Sequence, residues 1–412
     1  DDYVSGDKNI DIKSESAMDH FVIEEQKRQT KTKAGVSEFQ IDIEKEIRDR
    51  AMAVFLTKKF PTKEGRQVTV SPEEFVFKIK DSVYDYQLSK DQAVVINGKR
   101  CSFVGLGKEG NPVFWDGSVA SEVTREDLEK SFEKNNLVTY EIALEMLGEE
   151  NIIGPEDISK ALGFKPEKIQ PIPFSKEEIE LHKALGHKLV YEVNKTPEGL
   201  PLTLSELSRK AGSNLIKTGE YRLYKERFDD KGNIKKDAWF AKEVGMLSEV
   251  PEEGWKFISA KIIPGTENKN YISQTDFLID FWKNNIFKDG ISEEYKEAFE
   301  AWEKDKPRIQ QLITDAKWPE AAKELGNHPV SKLLRENFTS TIERLITLQK
   351  SRNQKILPSA CSWSRSFSSD GGLVSLGLFV AEGAYVYRSG PDFAWDGMGA
   401  VFSRMKPLEI EL

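Results

Sequence analysis

Reactive residues are scarce in this chain: 412 residues contain two cysteines, Cys101 and Cys361, and four histidines, His20, His182, His187 and His328. Two cysteines exclude a disulfide framework and fit a reducing compartment; free cysteine mostly behaves as a small hydrophobe. No histidine stands in an HxxxH or Cys/His spacing, so there is no zinc motif. An excess of positive charge is missing too. Sixty Lys and Arg against 69 Asp and Glu give a formal net charge of −9, which argues against nucleic acid as an obligatory partner. No apolar run approaches the ~20 residues that span a bilayer. The first residues, Asp1 to Gly6, lack the basic and apolar regions of a secretory signal, and a cytoplasmic location is favoured.

Phosphate-binding loops are also absent. Gly105 to Gly110 lies between two strand-type runs and lacks the helix that would aim N–H groups at a phosphate, so it reads as a hairpin loop. Asp229-Asp230-Lys231-Gly232-Asn233 resembles part of an oxygen-ligand loop but lacks the bidentate Glu of a calcium site, and reads as a turn. No metal, cofactor or catalytic residue is expected. A helix-turn-helix over Asn136 to Gly163 is disfavoured, because Glu156 and Asp157 at the start of its second helix would repel phosphate.

What is present fits a soluble α+β protein of two to three domains. Residues 1–60 form a charged segment with helical spacing from Glu38 to Phe60. Residues 61–164 open with short β-type runs at 67–70, 75–79, 93–96, 101–105 and 112–115, the size of a small β-barrel or SH3-like module. Asn97-Gly98 marks a two-residue hairpin within it. Helices are expected at 124–132, 140–147 and 155–162, the last stopped by Gly163. The proline-rich stretch from Lys165 to Pro173 is the expected boundary. Beyond it, Ser175 and Glu178 form a capping box, 189–193 reads as a strand, and Thr203 to Glu206 caps a helix to about Ala211. Strand-type runs at 221–224, 239–240 and 255–259 precede three amphipathic helices, 274–287, 293–305 and 331–349.

From Leu357 onward the composition changes to glycine, aromatics and short polar residues. The run Ser362 to Val380, a turn at Ala381-Glu382-Gly383 and the run Ala384 to Arg388 read as strands with a hairpin. A Gly- and aromatic-rich loop, Ser389 to Gly397, leads to a last strand, Gly399 to Arg404. Rigid aromatics beside small polar residues on loops suit a recognition surface.

The pattern Ser369-Asp370-Gly371, Leu373-Val374, Gly377, Phe379, Gly383-Ala384, Val386, Pro391 and Gly399 to Arg404 resembles the C-terminal variable region of target proteins of diversity-generating retroelements. More loosely, the likeness reaches back to about Phe174 through Trp255 to Ile258 and Asn268 to Tyr271. The resemblance implies that residues 174–412 form a C-type-lectin-like domain, related in architecture to formylglycine-generating enzymes, whose first and last strands pair and whose helices are an insertion. It implies a ligand-binding display protein, not an enzyme, with a variable region at about 362–404 rewritten by a reverse transcriptase. The ligand would most naturally be another protein. The framework it implies is Leu373, Val374, Gly377, Phe379, Gly383, Val386, Gly399, Val401 and Phe402. The contact surface it implies is Arg365, Phe367, Ser375, Leu378, Tyr385, Tyr387, Arg388, Ser389, Phe393, Trp395 and Asp396. A non-diversified lectin-like module that binds protein or carbohydrate is the alternative. A formylglycine-generating-type enzyme is a more distant one, because such enzymes use a cysteine pair and residues 174–412 hold only Cys361.

Overall fold

The computed structural model describes residues 58–134, 137–211, 239–287, 290–380 and 383–412, without the side chains of Ala211, Ala241, Lys242, Phe379 and Val380. The expected 1–57 portion of the N-terminal segment, the run at 221–224, the Asp229 to Asn233 turn and His20 lie outside these residues.

Eight short strands come first: β1 (Lys58–Pro61), β2 (Gln67–Val70), β3 (Phe75–Lys78), β4 (Asp85–Leu88), β5 (Ala93–Ile96), β6 (Lys99–Leu106), β7 (Pro112–Trp115) and β8 (Ala120–Glu122). Lys58 to Phe60, expected as the last residues of a helix, form strand instead and pair with Val70 to Val68. Asn97 and Gly98 turn the β5–β6 hairpin with φ of 48° and 76°, the positive values such a turn demands. Next come α1 (Arg125–Lys134), α2 (Tyr140–Leu147), β9 (Ile152–Ile153), α3 (Pro155–Leu162) and β10 (Lys168–Ile169). Gly163, in left-handed conformation, caps α3.

Then follow α4 (Lys176–Ala184), β11 (His187–Glu192), α5 (Leu204–Ala211), α6 (Val244–Ser248) and β12 (Gly254–Ile262). The capping box of α4 is present: Ser175 Oγ accepts from Glu178 N–H and the Glu178 carboxylate accepts from Ser175 N–H. Trp239 and Phe240, expected as strand, sit in a 3-10 turn, Trp239–Lys242. Their rings meet edge to face at 5.4 Å, an arrangement a strand would forbid because it sends neighbouring side chains to opposite faces.

Five helices replace the expected three: α7 (Tyr271–Asn285), α8 (Glu293–Thr314), α9 (Trp318–Asn327), α10 (Pro329–Leu334) and α11 (Phe338–Arg352). α8 continues through Pro307 because buried Ile309 extends the apolar stripe of Phe299 and Trp302. The helix expected at 331–349 breaks at Arg335, whose backbone is extended, and Asn337 caps a new helix by accepting from Ser340 N–H. The break frees Glu336 to enter the core. The chain ends in β13 (Cys361–Phe367), β14 (Leu373–Val380), β15 (Gly383–Ser389), β16 (Met398–Gly399), β17 (Val401–Met405) and β18 (Leu408–Ile410).

The strands build a β1-β2 pair and sheets ordered β10-β4-β3, β18-β5-β6-β7-β8, β17-β12-β11-β9 and β15-β14-β13-β16. Strands β11 and β17 do not pair with each other as expected; each pairs antiparallel with β12, which lies between them. Pairings also span the stretch from Lys165 to Pro173. β9 joins β11, and β18 returns to lie parallel to β5, with Leu408 opposite Val94. One hydrophobic cluster runs from Phe75 through Trp255 and Phe402 to Ile410. No helix among the described residues is long and apolar enough to cross a membrane.

Candidate ligand-binding surface

Register decides which C-terminal side chains can reach solvent. In the β13-β14-β15 meander Trp363 lies opposite Ser375, and Ser375 opposite Tyr387. Directly paired residues share a face, so Ser375 is a small side chain between two large ones. It is fully buried and is not part of the contact surface expected to hold it. Arg365 is also turned in. Its guanidinium pairs with Glu252, and its backbone N–H donates to the Glu336 carbonyl at 2.9 Å. Phe367 is half-buried and would meet a Cβ at Gly326. Leu378 is half-buried at a bulge with φ of 47°, its N–H donating to the Ala360 carbonyl at 2.8 Å. The bulge requires Gly377 beside it, where a Cβ would stand 2.0 Å from the Ala360 oxygen.

The remaining candidates lie further out. Tyr385 and Tyr387, two apart on β15, stack with centroids 5.7 Å apart and planes within 4°, and both are half-buried. Arg388 is exposed, pairs with Asp370 at 2.6 Å and lies over the Trp239 ring at 5.1 Å. Ser389 is half-buried at the end of the strand.

Phe393, at 42% exposure, and Trp395, at 39%, are among the few exposed large hydrophobic side chains of the described residues. They belong to five consecutive exposed residues, Asp392 to Asp396. The backbone under them is held from the framework. Pro391 O accepts from Tyr271 N–H at 3.2 Å, Trp395 O from Asn268 N–H at 3.3 Å and Met398 N–H at 2.8 Å, and Gly397 O from Cys361 N–H at 2.7 Å. The Trp395 ring folds over Gly397, where an added Cβ would sit 2.4 Å from it. The arrangement offers two aromatic faces flanked by two carboxylates on a backbone fixed at the N-terminus of α7 and the start of β13. It supplies flat apolar contact and acceptors; no nucleophile with a neighbouring base stands there.

Among the framework positions, Leu373, Val374, Val386, Val401 and Phe402 are buried. The Phe379 side chain and the turn residues Ala381 and Glu382 lie outside the described residues.

Around the central sheet polar groups are brought together in pairings that the sequence did not indicate. Glu178 binds Arg404 at 2.6 Å and Lys406 at 3.1 Å. Arg404 Nη1 donates to His182 Nε2 at 3.1 Å, which makes His182 Nδ1 the protonated nitrogen that donates to His187 Nδ1 at 2.9 Å. Burial and the Arg404 charge push the His182 pKa down to about 2, and burial pushes that of His187 down to about 4; both rings are neutral. On the opposite face of the same sheet Lys256 is fully buried, 2.7 Å from Glu192 and 3.6 Å from Glu336. The signal available in the sequence was a lysine inside an aromatic strand, Trp255-Lys256-Phe257.

Cys361 is buried, with its thiol pushed up to about 12 by burial, and Cys101 lies in a different sheet. Among the described residues no group of three or more His, Cys, Asp or Glu is placed to hold a metal ion. A separate cleft of about 990 Å³ opens between the β5–β6 hairpin, β12 and α8; an Arg100–Glu294 ion pair spans two of its walls, and no residue of 357–404 lines it. No family model, curated protein or solved structure matches the chain.

Proposed function

We propose that this chain is a ligand-binding display protein, in which residues 174–412 form a C-type-lectin-like domain and the region around 362–404 is diversified by a retroelement. The observation that carries the reading is the 392–396 loop. Five successive side chains face solvent while the flanking backbone is bonded to α7 and β13, so side chains there can change without loss of the bonds that hold the loop. Phe393 and Trp395 are the anchors, since exposed aromatics supply large contact area at small entropic cost. Asp392 and Asp396 beside them favour a partner that presents donors or positive charge. Arg365 and Ser375 serve as framework in this reading, and Tyr385, Tyr387 and Arg388 form the flank of the surface. An oxidase of the formylglycine-generating type is disfavoured because the two thiols belong to different sheets and Cys361 is buried.

The genomic test is the DNA flanking the gene. A near-copy of the codons for about Ser362 to Arg404, differing at adenines and adjoining a reverse transcriptase gene, is expected; its absence would reduce the reading to a non-diversified binding module. The protein test is a library randomised at 392–396 and sorted for binders to an arbitrary protein. Folded, selectable variants support the reading, whereas general loss of folding would sink it.

A further inference from the structure

Helix α11 is unusual because every side chain from Phe338 to Gln349 is buried, including Glu343 and Arg344. Five ionisable groups meet there: Glu192 on β11, Lys256 on β12, Glu336, and Glu343 and Arg344 of the helix, none more than 3% exposed. Three carboxyls thus face two cations. Lys256 serves Glu192 and Glu336 and also reaches Glu252 at the rim at 3.7 Å, and Arg344 pairs with Glu336. Glu343 makes no ion pair among the described residues. It accepts one bond from Val193 N–H, while its Oε1 has no partner.

The groups around the helix do not change that balance. Glu252 and Arg365 neutralise each other at the rim, and Glu249 accepts from Thr339 N–H, Thr339 Oγ1 and Ser366 Oγ. Glu206 of α5 is paired with Arg209, Asp157 of α3 with Arg352, Tyr191 of β11 is a neutral phenol, and β14 carries no titratable residue. An uncompensated charge in such a place is prohibitive, and a buried group neutralises instead.

We propose that the core holds one proton at neutral pH on the carboxyl of Glu343, and that its loss in alkali loosens α11 from the sheets it joins. Burial and the Glu192 charge both raise the Glu343 pKa. The sign follows from a folded pKa above the unfolded one: the contribution is complete below the ordinary carboxylate range and is lost as pH rises toward the folded value. Because α11 packs on β11, β13 and β14, the latch lies between the central sheet and the sheet that bears the 392–396 loop.

Infrared difference spectra of the full chain test this directly. Wild type at pH 7 should show the carbonyl stretch of a protonated carboxyl that Glu343→Gln lacks. Glu192→Gln, which restores charge balance by removing a different carboxyl, should let Glu343 ionise near Lys256 and lose the same band. In unfolding titrations between pH 7 and 9, where the histidines no longer titrate, Glu343→Gln should remove a dependence of up to about tenfold in the unfolding constant per pH unit. Absence of the band in wild type, its persistence in either variant, or an unchanged pH dependence in Glu343→Gln would overturn the proposal. Should Glu343→Gln fail to fold, the wild-type and Glu192→Gln spectra still decide it.

Discussion

Strand β12 and the 392–396 loop obey opposite rules. In β12 the side chains hold the strand as well as its backbone pairing does: Trp255 lies against Tyr191 with centroids 4.9 Å apart, Phe257 stacks on His182 at 4.1 Å, and Lys256 on the other face binds Glu192 and Glu336. In the loop the flanking backbone does the holding, and the side chains are left over. The buried stretch of β12, Gly254 to Ile258, is therefore intolerant of change. The loop can carry different residues on one path, which is the physical requirement for a surface whose specificity varies.

Substitutions sharpen or break that contrast. Replacing Lys256 with Ala leaves Glu192 and Glu336 short of a cation, and unfolding in denaturant should show a loss of about 3–5 kcal/mol. A loss below 1 kcal/mol would mean that the carboxylates already reach solvent. Phe402, stacked on His187 at 4.1 Å and Trp282 at 4.7 Å, should cost about 3–5 kcal/mol as Phe402→Ala. Acid should act through the same stack. The neutral His182 and His187 contribute stability that is full above pH ~6.5 and lost as pH falls toward their depressed values, by about 1.4 kcal/mol per pH unit for each ring. Unfolding midpoints measured from pH 7 to 5 should fall accordingly, and His187→Gln should fall less steeply. Ser375→Leu forces extra volume between Trp363 and Tyr387 and should cost about 1–3 kcal/mol; a neutral result would return Ser375 to the surface. Smallest of all, Phe393→Ser and Trp395→Ser should shift stability by no more than about 0.5 kcal/mol while abolishing or redirecting binding. Thermal unfolding as low as that of Phe402→Ala would place these aromatics in the core.

Local chemistry made much of the framework legible. Asn97-Gly98, the Ser175–Glu178 box and Gly163 each act within a few residues, so they show in sequence and reappear in the fold. Apolar runs broken by Gly, Ser and turn residues revealed the β13 to β15 meander as well, but not how deep it lies. Ser375 and Arg365 look like surface residues until Trp363, Tyr387 and Glu252 are brought beside them from other segments. Beyond a lysine set in an aromatic strand, the ionic core left no local trace, because Glu192, Lys256 and Glu336 come from two strands and a helix junction. The two-residue strands β9, β10 and β16 are too short for any periodicity to register.

Strand β18 sets a clock on the first sheet. Leu408 to Ile410 complete the edge of β5, and Leu412 N–H reaches Asn97 Oδ1 at 2.9 Å across a separation of 315 residues. A ribosome making this chain from its N-terminus releases β5 long before that partner exists. The hairpin must wait with an open edge, which can pair with a neighbouring chain in the meantime. Contacts of such separation also slow folding, so the yield of native protein should depend on how long nascent chains wait and how densely they are crowded.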